Sequence, residues 1–336
     1  MSAPQQPVTS ILQCGWGICP ISASWFGYRP SLIMNAVLLC LFTGAFLVHL
    51  YFTIRYKTRG FGICMCIACF LEMWGYAGRI LAYTNPWSLP AFFIQIFGIG
   101  LAPTFFAAGI YLCLTRIVIA YGADISKVQP KVYTYFFVIN DIISLVIQIP
   151  GGIVSSISAG EGQAPTLGAH IGVGGIAVQV VSITIWLALC AMFALKCRKV
   201  GESAYDPRYQ KLRSDRRFKL FLMGLGIACL VLYIRSIYRI VELSGGYTGH
   251  LARDETAFCV LEGVMIVILA YSTGIFHPGI GFGEAYAVIT EQKATFPPPW
   301  KKNAFLTKDI MLTASSQQGS IQLDHREEQI VMPNKE

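Results

Sequence analysis

Arg235, Arg239 and Glu242 follow one another at spacings of four and three inside an otherwise apolar stretch, Leu220 to Glu242. On a helix of 3.6 residues per turn those spacings put all three on one face. Insertion scales assign about 2.5–3.5 kcal/mol to each ionised side chain at a bilayer centre, so that face needs counter-charges, water or a ligand. Other apolar stretches hold the candidates: Glu72 with Arg79, Asp141 followed by Gln148, and Glu262 with Glu255 at its mouth. Glu72, Asp141, Glu242 and Glu262 against Arg79, Arg235 and Arg239 make a nearly neutral set.

Three chemistries fit such a set. The first is a buried ion-pair network that fixes helix packing and binds nothing. The second is a polar cavity with an apolar rim of Trp74, Tyr76, Tyr238 and aromatics of the third helix, suited to an amphiphile whose head enters the charged pocket. A surplus carboxylate there would receive an ammonium group. The third is an intramembrane enzyme using Glu72, Asp141 or Glu262 as general acid; the arginines beside those acids argue against it. Gln148-Ile-Pro150-Gly151-Gly152 is expected to interrupt the fourth helix next to such a cavity, and Pro103 to kink the third.

The elements that must position these groups are membrane helices. Of 336 residues, 54% are hydrophobic and 13% charged, with a mean hydropathy of +0.56, too apolar for a soluble domain of this length. We read an all-α polytopic protein with seven transmembrane helices: Leu32–Ile54, Phe61–Tyr83, Ala91–Ala120, Val132–Ile157, Ile171–Leu195, Leu220–Glu242 and Thr256–Phe276. Residues 1–30 form the N-terminal segment, 31–277 the membrane domain and 278–336 a tail, rich in Pro, Ser, Gln and Glu, expected to be largely disordered. Alternate connections hold twenty Lys and Arg against two, Arg29 and Arg253, so the N-terminus is expected outside or in the lumen and the tail in the cytosol. In that orientation Glu72 and Asp141 lie near the midplane, where a proton gradient would act on them, and the other charges lie toward the outer leaflet.

Other sequence signals are weaker. Residues 196–219 carry nine basic side chains and, with the tail, are the surfaces a cytosolic partner or anionic lipid would meet. Cys14 and Cys19 lie outside and could close a small disulfide loop. His49 and His277 fall at the cytosolic side without an H-E-x-x-H motif, and no cysteine spacing reads as a zinc site, so neither metal nor cofactor is expected. No phosphate-binding GxxxxGK[ST] loop is present, and nothing points to nucleic acid.

The polar residues also recur as a pattern. Tyr28-Arg29-Pro30-Ser31, Asn35 and His49 are followed by Glu72-Met-Trp-Gly-Tyr-Ala-Gly-Arg79 and Tyr111. Then come Asp141, Gln148 and Gly151-Gly152, Arg235-Ser-Ile-Tyr-Arg239 with Glu242, Glu255, Glu262 and His277-Pro278-Gly279. In this order, over residues 28–279, the chain resembles the fungal lipid-translocating exporter family, seven-helix proteins of the aminocholesterol-resistance and sphingoid long-chain-base exporter type. It departs from the family at Cys259 and Glu262, where a Tyr and an Asp are usual. The resemblance implies a plasma-membrane protein that moves, or confers resistance to, amphiphilic lipids such as sphingoid bases or toxic sterol analogues. A seven-helix receptor or sensor for amphiphiles is the alternative from another class.

Overall fold

Short capping devices set where the helices begin. In the computed structural model, which describes residues 14–122, 130–160, 166–201, 205–244 and 253–295, the Ser31 hydroxyl accepts from the Met34 amide to start α1 (Leu32–Tyr56). Lys57, at φ 53°, ends α1 in the left-handed conformation and turns the chain into α2 (Arg59–Thr84). Ser88 caps α3 (Leu89–Tyr121), which is followed by α4 (Pro130–Gly160), α5 (Thr166–Val200) and α6 (Arg216–Ser244). The seventh span, α7, starts at Glu255–Phe258, where Asp254 accepts from the Thr256 and Ala257 amides; it passes through a π-helical turn, Cys259–Val264, and continues as Met265–Ile275. Seven helices are thus long and apolar enough to cross a membrane, and no strand occurs among the described residues. Most spans reach a few residues beyond the apolar run that marks them, while the seventh is shifted by a single residue.

Sequential helices pack side by side, and α7 returns to α1, so the bundle closes into a ring; α3 also touches α6 and is the most enclosed span. Two of these contacts bring backbones together. A Cβ on Gly98 would lie 2.6 Å from the Gly75 nitrogen, and one on Gly151 would lie 2.9 Å from the Gly172 Cα. Glycine at these positions lets α2 meet α3, and α4 meet α5, at backbone contact.

Gly151 therefore belongs to a helix contact, and the expected break at Pro150-Gly151-Gly152 is absent: α4 is helical from Pro130 to Gly160. Pro103 likewise lies within an uninterrupted α3. A membrane helix tolerates a proline because neighbouring groups satisfy the freed carbonyl.

Order also extends past Gly281, where disorder was expected. α8 (Pro278–Phe282) and α9 (Ala285–Thr295) follow the seventh span, and Phe282, Tyr286 and Ile289 are buried. A second unit, Thr290–Glu336, is described only over 290–295, which is helical; Pro297-Pro298-Pro299 and the remaining tail lie outside the described residues, as do Lys127 and Tyr247. At the other end, Cys14 and Cys19 are disulfide-bonded. Between α5 and α6, the basic segment is fastened to the end of α3: Arg213 donates to the Ala120 and Asp206 carbonyls at 2.7 and 2.8 Å.

Candidate functional site

The charged residues fall into three groups rather than one. In the first, α6 presents Arg235 and Arg239. Arg235 pairs with Glu262, and a second bond runs from the guanidinium to the Ile99 carbonyl at 3.3 Å. The π-helical turn carries Glu262 into that position, a local widening of the helix that recurs at functional sites. Arg239 pairs with Glu242 at 2.7 Å, one turn further along the same helix. Glu72 of α2 lies in the field of Glu262, Arg235 and Arg239, yet both of its carboxyl oxygens are buried without a hydrogen bond among the described residues. Three carboxylates thus stand with two guanidinium groups, and Glu72 is the surplus acid.

Arg79 and Glu255 form a second group. The Arg79 guanidinium donates to Asn35 Oδ1 at 2.7 Å, the Tyr28 hydroxyl at 3.0 Å, Glu255 Oε1 at 3.2 Å and Gln95 Oε1 at 3.4 Å. Its carbon lies 4.2 Å above the Phe258 ring, and the Ser31 amide also donates to Glu255. Burial raises the Tyr28 phenol above its ordinary range, although Arg79 beside it acts the other way, so Tyr28 remains a neutral hydroxyl. This network ties the N-terminal segment to α1, α2, α3 and the start of α7.

Asp141 is the third group and stands apart from both. The Tyr111 hydroxyl of α3 is its polar neighbour, but neither side chain completes a well-formed hydrogen bond among the described residues. Depth arithmetic places Asp141 level with Glu72 but says nothing of the direction each helix faces, and α4 turns its acid toward α3.

A cavity joins the first group to the membrane-facing surface. It lies at the end of the bundle where α3 and α5 begin and α4 and α6 end. Arg239 and Gln148 line one side, and Ile96, Phe97, Leu145 and Ile149 the other. An adjoining space reaches Arg235, Gln179 and Ser236. The rim side chains are half-buried, and the cavity encloses about 40 Å³, room for a few waters at about 10–15 Å³ each. Of the expected rim, only the helix-three aromatics contribute, through Phe97. Trp74 is 48% exposed and faces outward, Tyr76 is stacked on Phe42 in the core, and Tyr238 is buried.

Sequence reasoning named Gln148 but missed the neutral polar groups that hold it, Ser144 and Gln179. Gln148 donates to Ser144 Oγ at 2.6 Å and to Gln179 Oε1 at 3.2 Å, and Ser144 donates to the Gly175 carbonyl at 2.6 Å. The signal available was spacing, because Asp141, Ser144 and Gln148 share one face of a helix. At the opposite end His49 and His277 meet, their ring centroids 6.4 Å apart, with His49 Nε2 on the Ala270 carbonyl and His277 Nδ1 accepting from the Gly279 amide. No third metal-ligating side chain joins them among the described residues.

Comparisons with known proteins agree on the kind of chain this is. It is 27% identical over 322 residues to the sphingoid long-chain base transporter RSB1 of Saccharomyces cerevisiae, with 88% of this chain and 84% of that protein covered. It is similar to two further proteins of that yeast: Protein RTM1, 25% identical with 73% and 75% covered, and protoporphyrin uptake protein 1, 27% identical with 66% and 69% covered. No solved structure matches it. The family model described as RTA1 like protein matches residues 65–285, and the chain, an integral multi-pass membrane protein, belongs to that family.

Proposed function

We propose that this protein exports amphiphilic lipids, sphingoid long-chain bases among them, across the plasma membrane and so confers resistance to such compounds. In this reading the N-terminus faces outside and the C-terminus the cytosol, which the twenty-to-two bias in Lys and Arg supports. The observation that carries the reading is the largely apolar cavity that ends on Gln148, Arg239 and, through the adjoining space, Arg235, the arginines paired with Glu242 and Glu262. An amphiphile would place the hydroxyls of its head against Gln148 and Gln179 and its chain along Phe97, Leu145 and Ile149. Glu72, the surplus acid, is buried behind the cavity and would meet the ammonium of a sphingoid base only once the walls part. The name of the yeast relative, a sphingoid long-chain base transporter, supports the same substrate class. Since the cavity holds only a few waters as it stands, loading requires its walls to part.

The test is movement of a fluorescent sphingoid base in liposomes holding the purified protein. Movement by the wild type, abolished by Arg239→Ala or Glu262→Ala with protein still in the membrane, is the expected result. No movement without a cytosolic partner overturns the transport reading in favour of a sensor. Conversion of the lipid to a new mass overturns it in favour of an enzyme.

A further inference from the structure

The interface between α3 and α4 carries a line of polar side chains that begins at the cavity with Gln148 and runs away from it. On α4, Thr134, Asp141, Ser144 and Gln148 recur at spacings of seven, three and four, which places them on one face. On α3, Thr104, Tyr111 and Thr115 recur at spacings of seven and four, again on one face. The two faces meet. The Thr115 and Thr134 hydroxyls lie 2.6 Å apart, Thr134 donates to the Tyr111 carbonyl at 3.3 Å, and Gln179 of α5 bridges Gln148 to Thr104. Apart from Gln148, which is half-buried and lines the cavity, all of these side chains are buried.

Asp141 sits in the middle of that line. It is 1% exposed, and both of its oxygens lack a hydrogen bond among the described residues. The groups that face Asp141 and its neighbour Tyr111 are the Tyr111 phenol itself from α3 and the Cys190 and Cys229 thiols from α5 and α6, none of them a cation. Glu72 sits in a different setting, with the like charge of Glu262 beside it as well as Arg235 and Arg239. An anionic carboxylate with no cation and only the Tyr111 hydroxyl beside it is disfavoured in such a place, whereas a carboxylic acid is not. Acids of this kind within membrane helices mark proton relays.

We infer that the α3–α4 seam is a proton pathway and that Asp141 is its proton-binding group. Uptake forms one O–H bond at a carboxyl oxygen, and release toward the other side returns the carboxylate. Ser144 and Gln148 lie on the same face of α4 between Asp141 and the cavity about 10 Å away, and Tyr111, Thr134 and Thr115 extend the line in the other direction. Because Gln148 belongs to both systems, proton occupancy at Asp141 is positioned to act on the cavity wall. The inference of coupled movement rests on the transport reading; the proton site itself does not.

The experiment pairs two measurements on the full-length protein. Infrared difference spectra, in light and heavy water, should show a protonated carboxyl band at neutral pH that Asp141→Asn removes, Glu72→Gln retains and Tyr111→Phe shifts. In liposomes, a one-unit pH gradient should accumulate the fluorescent sphingoid base up to about tenfold per proton exchanged. Asp141→Asn should lose that accumulation while still equilibrating the lipid without a gradient, and Asp141→Glu should restore it. A band that survives Asp141→Asn, accumulation that survives it, or accumulation driven by sodium instead overturns the inference. Wild-type movement indifferent to pH overturns the coupling and leaves the transport reading intact. If the lipid does not move at all, the transport reading fails, and the infrared band still decides the proton site.

Discussion

Removing Glu262 alone and removing it together with Arg235 separate the role of the charges as scaffold from their role as site. The two side chains are 0% and 5% exposed, so deleting one strands a charge with little solvent to screen it. After Glu262→Ala, Arg235 retains the Ile99 carbonyl and the field of Glu72, neither of which replaces a direct ion pair. Breaking a buried pair in this way costs about 3–5 kcal/mol, while replacing both members with apolar residues of similar volume is often neutral or stabilising. The Arg235→Met/Glu262→Leu protein should therefore recover most of the stability that Glu262→Ala loses. A thiol-reactive fluorophore can follow unfolding in detergent, because Cys69 is reduced and fully buried in the native bundle. If the pair only holds helices together, the double variant regains both stability and lipid movement; if it is part of the site, stability returns and movement does not. A loss below about 1 kcal/mol for Glu262→Ala, the range of exposed pairs, would refute the buried-pair argument outright.

Three other perturbations have defined outcomes. Gly100 lines the cavity with open space where a Cβ would stand, so Gly100→Val should fill it and stop lipid movement. Unfolding of that variant should be unchanged or later, since glycine weakens a helix interior by about 0.5–1 kcal/mol. Arg79→Ala removes four side-chain hydrogen bonds and should free the N-terminal segment, read as new protease cleavage near Tyr28, at a stability cost of about 3 kcal/mol. Reducing Cys14–Cys19 opens a loop so short that no more than about 2 kcal/mol is lost; an impermeant maleimide should then label these cysteines in intact cells, whereas labelling only after permeabilisation contradicts the proposed orientation.

The seven spans were legible because each is an apolar run longer than the bilayer requires, and the charges inside them were legible as candidates for the same reason. Their grouping was not. Sequence gives the depth of a residue through its distance along the helix, but which neighbour it faces depends on packing between helices. Asp141 and Glu72 share a depth and face different partners, and Arg79 serves the N-terminal segment rather than the cavity. The Pro150-Gly151-Gly152 run misled because glycine and proline mark both broken helices and close helix contacts, and only the neighbouring Gly168 and Gly172 tell the two apart. The π-helical turn that delivers Glu262 leaves no periodic signature in the six residues it occupies.

The glycine contacts also indicate where the bundle can deform. α2 and α3 meet backbone to backbone at Gly75 and Gly98, and α4 and α5 do so at Gly151, Gly168 and Gly172, so each pair behaves as one stiff unit. The seam between the units lacks such contacts and holds hydroxyls, an amide and the isolated acid instead. Parting α4–α5 from α2–α3 would widen the cavity at Gln148 and Phe97 and would bring water to Asp141 in the same motion. With Asp141 protonated, the closed seam buries a neutral acid; with Asp141 ionised, closure leaves an uncompensated charge. On the transport reading, proton occupancy would thereby bias the movement that lipid entry needs, without any direct contact between the proton and the lipid.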